Sequence, residues 1–113
     1  MKNNILRMMV GVACLMTSVC AHAVLSTTSV TTLNYLSSYT QFGSGDVIFR
    51  VANPTGDCFG YWISKTDPGY QANMAMLLAA YQSKTPILIA AMNDQLWTGS
   101  GNAYCKLWNV DYR

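Results

Sequence analysis

The sequence predicts a small α+β domain, mainly β, with one helix set among the strands. Three observations carry that expectation. Short alternating or aromatic runs are bounded by clusters of Gly, Pro, Asn and Asp; one stretch, 68–83, spaces its apolar residues as a helix does; and two cysteines, Cys58 and Cys105, can tie mid-chain to the carboxyl end.

The segment Val24 to Gly43 is rich in Ser and Thr, with Leu33, Tyr35, Leu36, Tyr39 and Phe42 spaced through it, and reads as one weak strand or edge segment with disordered leading residues. Asp46 to Ala52 (DVIFRVA) alternates and is β-branched, and Asn53-Pro54-Thr55-Gly56-Asp57 ends it with dense turn chemistry. Cys58 to Ser64 (CFGYWIS) follows as an aromatic strand, antiparallel to the one before because so few residues join them. Asp67 suits a helix N-cap and Pro68 the first helical position, with Met74, Leu77, Leu78 and Tyr81 on the buried face. Met76, Ala79 and Ala80 widen that apolar surface, either as ordinary core packing or as a second face meeting another subunit. Pro86 to Met92 (PILIAAM) reads as a buried strand, Asn93-Asp94 as a turn, Gln95-Leu96-Trp97 as resumed extended chain, 98–102 as a loop, and Ala103 to Val110 as the last strand.

Strand, strand, strand, helix, strand, strand is the order of a five-stranded OB-like barrel with its helix between strands 3 and 4. A sheet with one helix packed on it has the same order. There are no internal repeats and no linker, so a single domain, 24–113, is expected.

Residues 1–23 read as a signal peptide: Lys2 and Arg7 give a positive start, Met8 to Cys20 is uncharged and apolar, and Ala21-His22-Ala23 supplies the small residues a signal peptidase needs. The apolar run is shorter than the roughly 20 residues that span a bilayer, so no stable membrane anchor is expected. The chain is therefore expected to be exported, periplasmic or secreted. There Cys58 and Cys105 pair, closing a loop worth ~4 kcal/mol in the chain-entropy model. An intermolecular bridge or two free thiols are the alternatives.

Lys2 and Arg7 leave with the leader, so five basic residues face five aspartates and no glutamate in 24–113. A neutral chain of this kind does not attract nucleic acid or an anionic membrane from a distance. The one histidine, His22, also leaves. Without imidazole no Ser-His-Asp or Cys-His pair and no His-containing metal site can form, so neither catalytic nor metal residues are assigned and no cofactor is expected. A pair of aspartates acting as acid and base would be the remaining enzymatic route, from Asp46, Asp57, Asp67, Asp94 and Asp111. Each of these lies beside Gly, Pro or Asn or near a chain end, where turn formation explains it.

Three Trp, seven Tyr and three Phe are many for so uncharged a chain. They suit a tight core, and also a surface that stacks on sugars or pairs with protein. In Tyr61-Trp62 adjacent side chains of a strand point to opposite faces, so one ring is buried and the other exposed. Trp97 precedes a Gly and Ser loop and follows Asp94 and Gln95, which sets an aromatic ring near hydrogen-bonding groups, although core packing also accounts for it. Tyr61, Trp62, Asp94, Gln95 and Trp97 are the candidate ligand-binding residues.

From Cys58 to Cys105, the aromatic strand CFGYWI, the helix and turn MAMLLAAYQSKTP, the strand ILIAAM, then QLWTGS and the closing Cys resemble the B subunits of bacterial A-B toxins of the subtilase-cytotoxin and pertussis-like group. The resemblance covers about half of 24–113. It implies an OB-type barrel, a ring of five copies and binding of host glycans through surface loops. The chain departs from that group in its Ser/Thr-rich start and single disulfide, and no binding residue carries over by position. Two functions account for the sequence: a secreted, non-catalytic, oligomeric carbohydrate-binding module, or a periplasmic interaction protein, such as an inhibitor or immunity protein, whose Tyr and Trp contact a protein.

Overall fold

The computed structural model describes residues 24–113. The leader expected at 1–23, with Cys14, Cys20 and His22, lies outside them. The elements are β1 (Leu25–Thr27), β2 (Leu33–Ser38), β3 (Val47–Val51), β4 (Gly60–Ile63), α1 (Tyr70–Ser83), β5 (Ile87–Leu96) and β6 (Tyr104–Tyr112). One mixed sheet contains all six strands in the order β1-β5-β6-β4-β3-β2. Its ladders are antiparallel except for β4 with β6. The expected mainly β architecture with one helix is present. It has six strands rather than five, the helix falls between the fourth and fifth, and with β1 and β2 at its two ends the sheet is not closed into the expected barrel.

The extra strand comes from the Ser/Thr-rich start, which folds as β1 and β2 instead of one edge segment. Its hydroxyls complete the bonding where the chain passes between them. Thr28 and Thr31 are buried; Thr28 Oγ1 accepts from the Ile89 N–H at 3.0 Å and Thr31 Oγ1 from the Asn53 N–H at 2.9 Å. A buried backbone donor needs such an acceptor. The side chains that depress the strand signal are the ones that make this segment ordered.

Alternation along β3 builds two apolar layers. Val47, Phe49 and Val51 enter the main core, with Leu33, Tyr61, Ile63, Leu77, Ala80, Ile87, Ile89, Cys105 and Leu107, between the sheet and α1. Ile48 points the other way, into a smaller cluster with Trp97 and Tyr104, flanked by Tyr35 and Trp62. Cys58 and Cys105 are bonded, with Cα atoms 5.7 Å apart, and tie the start of the β4 segment to β6. No helix of the described residues is long and apolar enough to cross a membrane.

The helix departs from expectation at its start and on one face. It begins at Tyr70 after Gly69, with no side-chain cap. Asp67 is engaged elsewhere: its Oδ2 accepts from the Ser64 N–H at 2.8 Å and lies 2.8 Å from Lys106 Nζ, so Pro68 belongs to the preceding turn. Leu77 and Ala80 face the core with Tyr70, Met74, Met76 and Tyr81 packed beside them. Leu78 lies off that stripe and is 49 % exposed.

β5 also runs further than expected. Its pairing with β6 jumps from Met92↔Lys106 to Leu96↔Cys105, so Asn93, Asp94 and Gln95 bow out of the ladder where a turn was expected. In β6 the pairing passes from Asn109 to Leu107, leaving Trp108 as a bulge residue, 59 % exposed. This bulge shifts the core-facing phase of β6 from Cys105 and Leu107 to Val110.

Candidate functional site

The sheet face away from the helix carries two rows of side chains set by register. Tyr35 pairs with Arg50, and Gly60 with Tyr104; next to them Ser37 pairs with Ile48, Ile48 with Trp62, and Trp62 with Lys106. Gly60 is required because the Tyr104 ring lies directly over it: a Cβ there would stand 2.5 Å from Tyr104 Cε1. That ring meets Phe59 edge-on at 5.5 Å and Trp97 at 5.7 Å. The Arg50 guanidinium lies 4.2 Å from the Tyr35 ring centre and 5.4 Å from that of Phe59. Burial pushes the Tyr104 hydroxyl above the ordinary tyrosine pKa, with the Arg50 charge partly offsetting it.

An open cleft of about 260 Å³ lies where β4 hands the chain to α1, lined by Lys65, Asp67, Pro68, Tyr70 and Gln71. Asp67 joins this cleft to the aromatic face. Lys106, paired with Asp67, places its ammonium 4.0 Å from the Trp62 ring centre. Trp62 is fixed at its other end, where Nε1 donates to the Gln95 carbonyl at 3.0 Å. The outward bow of residues 93–95 brings that carbonyl within reach. Cleft and half-buried indole are thus linked through one ion pair: Asp67 lines the cleft and holds Lys106, whose ammonium lies over the Trp62 ring.

Of the candidate binding residues, Trp62 and Gln95 are brought together, and Asp94 is exposed on the same bow. Tyr61 and Trp97 lie in the two apolar layers. Tyr61 is fully buried, 5.4 Å from Phe49, and its hydroxyl accepts from the Thr55 N–H. Trp97 is 5 % exposed and donates from Nε1 to Asp46 Oδ2 at 3.0 Å. Tyr61 and Trp62 do lie on opposite faces, with Tyr61 the inward ring, but Trp62 is half-buried rather than exposed because Gln95 holds its N–H and Lys106 lies over its ring.

The aspartates are engaged separately. Asp46 is held by Trp97 and Asp67 by Lys106; Asp111 accepts from Asn109 Nδ2 at 3.1 Å. Asp57 accepts from Asn93 Nδ2 at 2.6 Å and Ser26 Oγ at 2.9 Å. Those two hydrogen bonds, the Asn93 one first, lower its pKa from 3.8 to about 2.

Sequence reasoning did not single out Arg50, Lys106, Lys65, Tyr70 or Gln71 for the site. The residues of the cleft are local, within 65–71, but Lys106 reaches it only through the parallel β4–β6 pairing, which no short sequence pattern signals. Arg50 could have been noted as the one charged residue inside an otherwise apolar strand. Comparison with protein-family models, curated proteins and solved structures finds no match for this chain.

Proposed function

We propose that this chain is an exported, non-catalytic binding module that takes a carbohydrate at the Lys65–Gln71 cleft, with Trp62 as the aromatic side of the site. The carrying observation is the unbroken set of contacts from the cleft through Asp67 and Lys106 to Trp62. Sugars are recognised by an aromatic surface together with a few fixed polar groups, and the cleft supplies a phenol, an amide and both signs of charge. Gln95, whose carbonyl holds the Trp62 indole, and the exposed Asp94 next to it in sequence are the further contacts proposed.

The toxin B-subunit resemblance agrees with this reading, as does an OB-type reading of the sheet. In support of the latter, the stretch from β1 to β2 bonds first to β5, at Thr28 and Thr31, and then to β3, where the Thr32 carbonyl accepts from Ala52 N–H. One bent strand of an OB barrel makes the same two sets of contacts. Under this reading the protein assembles as a ring. The helix, which carries no charged residue, exposes Ala72, Ala75, Leu78 and Ala79 together with Gln71, Gln82 and Ser83.

The test is a glycan array followed by calorimetric titration of the strongest ligand with wild type, Trp62→Ala and Gln71→Ala. Each substitution is expected to weaken binding by about tenfold, some 1.4 kcal/mol. An array that stays blank at high protein concentration overturns the carbohydrate reading. Light scattering on the eluting protein tests the ring separately: a mass of five protomers supports it and a monomer counts against it.

A further inference from the structure

The Arg50 end of the same sheet face has different chemistry. Arg50 Nε is buried and has no hydrogen-bond partner. Among the described residues the ion pairs are Lys106–Asp67 and Arg113–Asp111, so no carboxylate serves Arg50. The guanidinium is held instead between Tyr35 and Phe59. Cation–π contact stabilises the charge but gives a buried N–H no acceptor, and a donor left unmet in this way is costly. A carboxylate is the acceptor that fits a guanidinium best, through short charge-assisted bonds.

Around Arg50 the surface is aromatic and without an available acid. Phe59, Phe42 and Tyr39 are 44 %, 40 % and 37 % exposed, and Tyr35 is half-buried. They join through buried Tyr104 and Trp97, at centroid distances of 5.1 to 5.7 Å. Asp46 lies beneath the patch, bonded to Trp97. Phe59 meets Tyr104 at 80°, Phe42 meets Trp97 at 68° and Tyr39 meets Phe42 at 63°. These rings present edges and small facets rather than one flat plane. Such relief accepts branched apolar side chains better than the face of a sugar, and Arg set among aromatic residues is the composition that dominates protein interfaces.

We infer that the Arg50 patch docks an acidic segment of another protein, whose Asp or Glu carboxylate pairs with the Arg50 guanidinium while its apolar neighbours cover Phe59, Phe42 and Tyr39. Charge complementarity selects this occupant: the patch offers a cation with an unmet donor and no anion of its own. The inference goes beyond the carbohydrate reading and does not rest on it, since the two sites use different residues.

Nuclear magnetic resonance of the full chain tests it, read at the Arg50 Nε–Hε signal. The probes are acetyl-leucyl-glutamyl-leucine amide, its glutamine counterpart, and glucuronate. The glutamate peptide is expected to shift the signal saturably at millimolar concentration, with the glutamine peptide at least about tenfold weaker. Phe59→Ser should weaken the glutamate peptide several-fold while keeping the Arg50 signal. In Arg50→Gln the shifts of the Phe59 and Tyr35 rings should vanish, with the near-ultraviolet circular dichroism preserved. Equal response to both peptides, or none to either, overturns the inference. So does a stronger response to glucuronate, which would assign the patch to an acidic sugar. Gln71→Ala, in the cleft, should leave the peptide titration unchanged, so failure at one site is separable from failure at the other.

Discussion

Asp46 and Trp97, 51 positions apart, are joined by a hydrogen bond from the indole Nε1 to the carboxylate at 3.0 Å, with both residues buried. The bond holds the turn before β3 against the chain that leaves β5, and it places Trp97 beneath Tyr39 and Phe42. Asp46→Leu should lower stability by about 1.5–3 kcal/mol, the range for a bond to a charged group, because the indole donor is stranded. Asp46→Asn retains an acceptor and should lose less than half of that. Urea unfolding followed by Trp fluorescence measures both, and equal losses for Leu and Asn would remove the hydrogen bond from the account. Gly43→Ala should resemble the Leu variant: Gly43 has φ +61°, and an added Cβ would collide with the Asp46 carboxylate.

Reducing the Cys58–Cys105 bond, or replacing both residues by Ser, should cost about 2–5 kcal/mol. Both residues are buried in the main core, so free thiols would relieve the covalent constraint while keeping most of the packing. The check is the urea midpoint with and without reductant. A shift of less than about 1 kcal/mol would mean that residual structure already restricts the unfolded chain without the bond.

Asp57 links Ser26 in β1, Asn93 in the bow of β5 and the loop before Cys58. Its pKa is about 2 in the folded chain against an ordinary 3.8. A lowered carboxyl pKa contributes stability that is full above the unfolded value and is lost as pH falls from about 3.8 through about 2. The group is exposed, so solvent screening keeps the contribution small. Wild type should unfold at higher urea than Asp57→Asn at pH 5, and the difference should narrow from about pH 4 and close below pH 2. A constant difference across that range would contradict the linkage.

Lys84 ends α1 in the left-handed conformation, at φ 54°, with its N–H donating to the Ala80 carbonyl. A side chain there carries a steric cost that glycine does not. Lys84→Gly should therefore stabilise the protein by about 0.5–1 kcal/mol, less whatever the Lys84 ammonium contributes above the Tyr81 ring. Thermal unfolding detects a change of that size as a rise of a few degrees.

Local patterning located β3, β4, α1, β5 and β6, because Asp46–Ala52, Cys58–Ser64, 68–83, 86–92 and 103–110 each state their own periodicity. It also identified the disulfide, since two cysteines in 24–113 allow one intramolecular pairing. It placed Tyr61 and Trp62 on opposite faces by strand alternation alone. It misread 24–43, where Thr28 and Thr31 serve as hydrogen-bond acceptors for distant backbone, and Asp67, whose carboxylate is taken by Lys106 instead of the helix end.

The sequence by itself determined the element types, the two cysteines that bond, the single helix and the absence of histidine and glutamate from 24–113. The tertiary structure decided which side chains meet. The parallel pairing of β4 with β6 carries Lys106 to Trp62 and Asp67, and the order of β2, β3 and β4 sets Arg50 between Tyr35 and Phe59. Periodicity assigns a residue to a face from its near neighbours. Which distant strand shares that face depends on the chain's crossings, and those are fixed only when the whole apolar surface is buried at once.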